Sequence, residues 1–122
     1  MKPTVLVVDD FENTRFIIEF TLKRYGYEVL KAANGKEALV LLDGRAIDLI
    51  ITDYNMPQMN GMELTKEVRK MEKYLHTPIY MLTTEQEASL KATGTKEGVT
   101  LWIIKPFEMD AFVKSVQKAI RT

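Results

Sequence analysis

Four short apolar runs, each ending in a polar residue, constrain the fold of this chain more than any other feature. In the clearest of them, at residues 48–53, aliphatic residues lead to Asp53, and a loop rich in Asn, Pro and Gly follows at once. The other three runs end in carboxylate, hydroxyl and ammonium groups, on Asp9 with Asp10, on Thr83 and on Lys105. Uninterrupted apolar runs of this length are typical of strands buried on both faces of a parallel sheet. Parallel strands would bring these polar ends together at one edge, where open α/β sheets bind ligands.

Helical patterns alternate with these runs. The first predicted helix covers about residues 13–25, and Gly26 stops it. Its apolar residues near helical spacing are Phe16, Ile17, Phe20, Leu22 and Tyr25. The shorter and more polar run at Glu28–Ala32 predicts an edge strand. A second helix is expected between Asn34 and Gly44.

The second half of the chain continues the alternation. A third helix is predicted from the spacing of Leu64, Val68 and Met71, and a helix with a thin apolar face at residues 85–97. A fifth strand at residues 100–104 precedes a closing helix with one apolar face, formed by Phe107, Phe112, Val113, Val116 and Ile120. The sequence therefore predicts one α/β domain over residues 1–122. Its fold class is doubly wound, with a five-stranded parallel sheet and five helices. The flavodoxin-like strand order 2-1-3-4-5 is expected because it puts the polar second strand at an edge, and it is taken from known folds of this class as much as from the residues.

The charge composition of the chain limits the kinds of partner that it can bind. Lys plus Arg equals Asp plus Glu at 17 each, and the two signs are interspersed, so we expect no nucleic-acid or membrane partner. Cysteine is absent, which excludes disulfides and thiolate metal sites. No apolar run approaches the length of a membrane span or of a signal sequence. We expect a cytoplasmic protein.

The predicted edge of the sheet gathers three acids, Asp9, Asp10 and Asp53. Like charges so close together are unfavourable unless a cation compensates them, and oxygen ligands without His or Cys favour Mg²⁺. Adjacent acids at a strand end also cap helices or face solvent, which is the alternative interpretation of Asp9 and Asp10. The additional polar strand ends at Thr83 and Lys105 favour the metal site.

Carboxylates, a hydroxyl and an ammonium beside Mg²⁺ are the groups that phosphoryl transfer requires. A carboxylate can act as the nucleophile and form an aspartyl phosphate. Chain order alone does not say which acid attacks. We choose Asp53, because it is the single acid at its strand end, whereas the adjacent pair Asp9 and Asp10 suits metal binding.

These motifs, taken together and in this order, resemble response-regulator receiver domains of the CheY chemotaxis type. The matching stretches are LVVDDF at residues 6–11 with Arg15, DYNMP at 53–57, MNG at 59–61, TTE at 83–85 and KPF at 105–107. The resemblance covers the whole chain. It implies a two-component response regulator that is phosphorylated by a histidine kinase, functions in chemotaxis, and is not an enzyme beyond its own phosphorylation and dephosphorylation.

The resemblance also implies a role for each matching residue. Asp53 accepts the phosphoryl group, and Asp10, Asp53 and the backbone carbonyl of Asn55 bind Mg²⁺, with Asp9 acting through water. Thr83 and Lys105 contact the phosphoryl oxygens, and the Lys105–Pro106 bond is cis. The implied output partner is a protein such as a flagellar switch component. It would bind the face formed by the helix at residues 85–97, the fifth strand and the closing helix, on a protein expected to be a monomer.

The chain departs from the family pattern at Trp102. The switch residue three positions before the family's lysine is usually Tyr or Phe, and a bulkier ring changes how freely it can turn inward with Thr83. The alternative is that Trp102 simply covers part of the sheet edge.

Two other functions are alternatives. A phosphatase with an aspartyl nucleophile, like the haloacid-dehalogenase-like enzymes, requires a second acid two residues after the nucleophile, and that position is Asn55. A receiver fragment of a larger regulator, or an unphosphorylated scaffold, is a binding module with the same fold. The full set of acids argues against the scaffold, whereas the fragment remains an alternative.

Overall fold

The sheet has the predicted number of strands and the predicted strand order. The computed structural model describes residues 2–84 and 97–120. Within them lie five strands, β1 to β5, at Thr4–Val8, Glu28–Ala32, Leu49–Asp53, Ile79–Thr83 and Leu101–Ile104. All neighbouring strands are parallel and the order is β2-β1-β3-β4-β5, which confirms the predicted fold class. The polar strand Glu28–Ala32 is an edge strand, as predicted.

The described residues contain four α-helices and one short 3₁₀ helix. The α-helices, α1 to α4, are Glu12–Arg24, Gly35–Leu41, Gly61–Arg69 and Met109–Ala119, and the 3₁₀ helix is Glu72–Tyr74. The helix predicted at residues 85–97 lies outside the described residues except for its last position, Glu97, which is in a turn. None of the described helices combines the length and apolar character needed to cross a lipid bilayer.

Two apolar layers enclose the sheet. On one face, side chains of α1 and α4 cover β1, β3 and β4; Ile18, Leu22, Phe112 and Val116 form the centre of this layer. On the opposite face, α2 and α3 pack against the alternate residues of the same strands. Because Val5 and Leu6, adjacent on β1, belong to different layers, the central strands are buried on both sides.

Helix α1 buries a different stripe from the one its aromatic residues suggested. Ile18 and Leu22 are fully buried, whereas Phe16, Ile17, Phe20 and Tyr25 are each more than half exposed. The helix carries apolar residues on two sides, and only one side can face the sheet. Helical spacing predicted the helix correctly but did not identify the side that is buried.

Candidate functional site

Strand β3 places Asp53 at the carboxyl edge of the sheet. The residue is only 2% exposed, because β1 and β4 flank the strand and the following loop folds back over it. The Gly61 amide donates to the Tyr54 carbonyl at 2.8 Å, closing this loop onto the start of α3. Asn60 caps α3 by accepting from the Glu63 amide at 2.8 Å, and the Glu63 carboxylate accepts from the Asn60 amide at 2.9 Å. The loop after Asp53 is therefore fixed at both ends.

The two acids after β1 occupy different environments. Asp9 is fully buried, and its Oδ1 accepts a hydrogen bond from the Phe11 amide at 2.9 Å, at the start of α1. The Arg15 guanidinium donates to the Asp9 backbone carbonyl at 2.6 Å, which ties the first turn of α1 to the end of β1. Asp10 is exposed. Carboxylate oxygens of Asp9, Asp10 and Asp53 lie within 4.8 Å of one another.

Lys105 links the end of β5 to Asp53. Its Nζ donates to Asp53 Oδ1 at 2.6 Å, and its backbone amide donates to the Thr83 carbonyl at 2.7 Å. The Lys105–Pro106 peptide bond is cis, the isomer that the resemblance implied. Thr83 is fully buried at the end of β4. The fold thus brings an ammonium, a hydroxyl and three carboxylates to one edge of the sheet.

Burial and mutual repulsion disfavour the ionised acids. Loss of solvent raises the pKa of Asp53 to about 6; the hydrogen bond from Lys105 opposes the rise, and the charge of Asp9 adds to it. Loss of solvent also raises the pKa of Asp9, against the hydrogen bond from the Phe11 amide. Without a further cation, one ammonium bonded to a single carboxylate leaves this cluster with excess negative charge.

The donor set fits a hard divalent cation. Asp9 Oδ2 is buried and has no hydrogen-bond partner within the described part of the chain, so this oxygen is available to a cation. All the converging side-chain ligands are carboxylate oxygens, which Mg²⁺ prefers. Asn55, whose backbone carbonyl was predicted to complete the site, lies exposed in the loop directly after β3.

Trp102 lies on the face of β5 that is directed towards α3. The ring is partly buried and packs against Met62, Met81 and Val99. Its Nε1 is buried and has no hydrogen-bond partner among residues 2–84 and 97–120. The side chain therefore covers part of the sheet near its edge.

Two residues beyond the predicted set support Asp53 and Asp9. A Cβ added at Gly61 would lie 2.6 Å from the Asp53 carbonyl oxygen, so only glycine allows α3 to begin this close to β3. Arg15 belongs to the matching motif at the start of the chain, and its role is to anchor the Asp9 backbone. The spacing of Asn60 and Glu63 is a capping-box pattern from which the start of α3 could have been predicted.

Comparison with known proteins defines the class. Residues 5–117 match the model of the response regulator receiver domain. The chain belongs to this family of two-component signalling proteins, and the match extends from β1 into the last turn of α4.

Individual relatives agree with this assignment. Chemotaxis protein CheY1 of Helicobacter pylori is 42% identical over 97% of this chain and 97% of its own length. The structure of chemotaxis response regulator CheY4 of Vibrio cholerae has a TM-score of 0.92 and 42% identity, covering 98% of this chain and all of that one. The Thermotoga maritima response regulator TrrA, solved in complex with Mg²⁺–BeF, has a TM-score of 0.85 and 33% identity, over 98% of this chain and 100% of that one.

Proposed function

We propose that this chain is a response regulator whose Asp53 accepts a phosphoryl group from the phosphohistidine of a histidine kinase. The observation that carries the proposal is the hydrogen bond from Lys105 Nζ to Asp53 Oδ1 at 2.6 Å, inside a cluster of three carboxylates at the edge of the sheet. A buried nucleophile held by a fixed cation is a site prepared for a group with negative charge. The 42% identity to chemotaxis proteins supports a role in chemotaxis.

The proposed step is a direct displacement at phosphorus. An oxygen of the Asp53 carboxylate attacks, an O–P bond forms, and the P–N bond to the donor imidazole breaks with its electron pair returning to the ring nitrogen. Lys105 follows the charge from the carboxylate to the phosphoryl oxygens, and the Thr83 hydroxyl hydrogen-bonds one of them. Burial of Asp53 keeps the reacting oxygen in a fixed orientation, so the chain contributes mainly position and charge.

The same residues would hold Mg²⁺. We infer Asp10, Asp53 and the Asn55 carbonyl as ligands, with Asp9 acting through a water molecule. The buried, unpartnered Asp9 Oδ2 and the Mg²⁺–BeF complex of the relative TrrA support this assignment. When bound, the ion neutralises charge on the carboxylates and on the transferred group.

Phosphorylation would then change a binding surface. Drawing the Thr83 hydroxyl towards the phosphoryl group vacates space into which the Trp102 ring could turn. The output partner, a protein such as a flagellar switch component, would bind a face that includes β5 and α4, next to the helix predicted at residues 85–97. We further infer that the protein works in the cytoplasm, binds neither nucleic acid nor membrane, and catalyses only its own phosphorylation and dephosphorylation.

Intact-mass measurement after incubation with acetyl phosphate and Mg²⁺ tests the proposal. The parent should gain one phosphoryl group and Asp53→Asn should gain none, because the amide keeps the shape but loses the nucleophilic oxygen. Asp43→Asn changes an exposed acid that is not part of the cluster, so it is the matched control and should react like the parent. An adduct on Asp53→Asn as abundant as on the parent would refute the assignment of Asp53.

A further inference from the structure

The outward side of α1 is unusually apolar for an exposed helix. Phe16 is 61% exposed and Phe20 54%, on the side of the helix opposite the buried Ile18 and Leu22. Their rings stack with centroids 6.1 Å apart, and the Arg24 guanidinium lies 5.8 Å above the Phe20 ring. The aromatic surface is thus already ordered in the single chain, so a partner would not have to immobilise it. Adjacent exposed aromatic residues of this kind mark interaction sites.

The charges along this side make it complementary to itself. Glu12, Phe16, Phe20 and Arg24 recur every four residues and form one ridge of the helix, with the acid in the first turn and the base in the last. When a second copy of α1 lies antiparallel, Phe16 of each copy meets Phe20 of the other. Glu12 of each copy then meets Arg24 of the other. The two helix dipoles also oppose each other, which favours the same orientation.

We infer that α1 is a self-association surface, on which two copies of this chain pair antiparallel about a two-fold axis between Phe16 and Phe20. A two-fold contact of this kind requires one patch that complements itself, and this ridge fulfils that requirement in both shape and charge. The inference replaces the expectation of a monomer and does not depend on the function proposed for Asp53. The partner is inferred to be a second copy because the order along the ridge is acid, aromatic, aromatic, base. When the second copy is reversed, each acid faces a base and each aromatic ring faces another.

Sedimentation velocity of the full chain across micromolar to millimolar concentrations tests the inference. The parent should shift from monomer to dimer as concentration rises. Phe20→Ser removes one contact from each side of the axis and should raise the dissociation constant about tenfold or more. Val40→Ser removes a residue that is 73% exposed on α2, so it is the matched control and should leave the dissociation constant unchanged. A parent that stays monomeric throughout overturns the inference.

A charge-exchange experiment tests the antiparallel orientation. Glu12→Arg and Arg24→Glu should each weaken the dimer, because each brings like charges together at both ends. Mixing the two variants should restore association, since the heterodimer regains two opposite-charge pairs, and so should combining both changes in one chain. These exposed positions are remote from the buried layers, and unchanged thermal unfolding would show that the variants are folded. The antiparallel pairing would be overturned if the single variants dimerised as strongly as the parent. It would also be overturned if mixing the two variants did not restore dimer formation.

Discussion

Asp53 lies in a position that is unfavourable for an isolated carboxylate and favourable for a reaction. It is 2% exposed, shares its surroundings with Asp9 and Asp10, and has Lys105 as its bonded cation. Under the proposed function, this cluster costs the folded protein stability in exchange for a reactive carboxylate, as charged functional sites commonly do. The effect of the ionised Asp53 on stability can be measured from the pH dependence of the free energy of unfolding.

Metal-free protein should lose stability as pH rises through the titration of Asp53. The pKa of Asp53 is raised from 3.8 to about 6 in the folded protein, so the folded state binds this proton more tightly than the unfolded state does. Stability is therefore lost as pH rises from 3.8 to about 6, and the loss is complete above that range. Asp53→Asn should be more stable than the parent at pH 7 by about 2 to 3 kcal/mol. At a pH below 3.8 the difference should disappear. Urea unfolding in EDTA at both pH values measures it; a variant that is less stable at pH 7 would contradict the account.

Trp102 should report occupation of Asp53. Its ring is partly buried against Met81 and Val99, with Nε1 unpartnered, so an inward turn is expected to bury it further but to be restricted by its size. Adding beryllofluoride with Mg²⁺ should shift its emission partly to shorter wavelength, and Thr83→Ala should reduce the shift. A coupling of about 1 to 3 kcal/mol is typical of such two-state systems. Emission that stays unchanged while Asp53 is occupied would identify Trp102 as a fixed packing residue.

At the scale of elements, the helix starts hold the site together. Helices α2 and α3 both begin with glycine after a capping asparagine, at Gly35 and Gly61. A Cβ at Gly35 would meet only the Met59 side chain, whereas at Gly61 it would meet the Asp53 backbone carbonyl at 2.6 Å. The two glycines therefore form a natural matched pair.

Gly61→Ala should be clearly more damaging than Gly35→Ala. A side chain such as Met59 can move, but the Asp53 carbonyl cannot move without shifting the proposed nucleophile. Overpacking of this kind costs about 1 to 3 kcal/mol. The thermal unfolding temperature and the rate of phosphorylation by acetyl phosphate should both be lower in Gly61→Ala. Equal effects of the two substitutions would show that the contact with Asp53 does not position it.

The sequence predicted strands better than it predicted helix faces. The edge strand was predicted residue by residue at Glu28–Ala32, and the strands predicted to end at Asp53 and at Thr83 do end there. Helix α1 was predicted within one residue at each end, but its aromatic residues face outward. Periodicity shows that a helix has an apolar side; when it has two, the packing against the sheet decides between them. The exposure of the aromatic residues of α1 is known only from the structure, because it depends on which side of the helix packs against the sheet.

At the scale of the whole molecule, parallel strand order converts four distant positions into one site. The sequence could place Asp9, Asp53, Thr83 and Lys105 at strand ends, and the predicted order put those ends at one edge. It could not supply the 2.6 Å contact of Lys105 with Asp53 or the unpartnered Asp9 Oδ2. Such details depend on side-chain rotamers and on burial, which no local pattern specifies.

Mg²⁺ should stabilise the whole domain. A ligand that binds only the folded state contributes about 1 to 3 kcal/mol at ten to a hundred times its dissociation constant. Thermal unfolding of the parent should therefore shift upward during a Mg²⁺ titration, and Asp10→Ala should lose the shift. Asp43→Ala, an exposed acid outside the cluster, should retain it. An unchanged transition of the parent at saturating Mg²⁺ would count against the metal site.

The most direct test of the central claim locates the phosphoryl group chemically. Borohydride reduces an aspartyl phosphate to homoserine and leaves ordinary carboxylates intact, so peptide mass spectrometry after treatment with acetyl phosphate, Mg²⁺ and borohydride identifies the acceptor. The account predicts homoserine at position 53, in amounts that depend on Mg²⁺. Homoserine at position 9 or 10 instead, or none at any position while the intact protein carries phosphate, would contradict it.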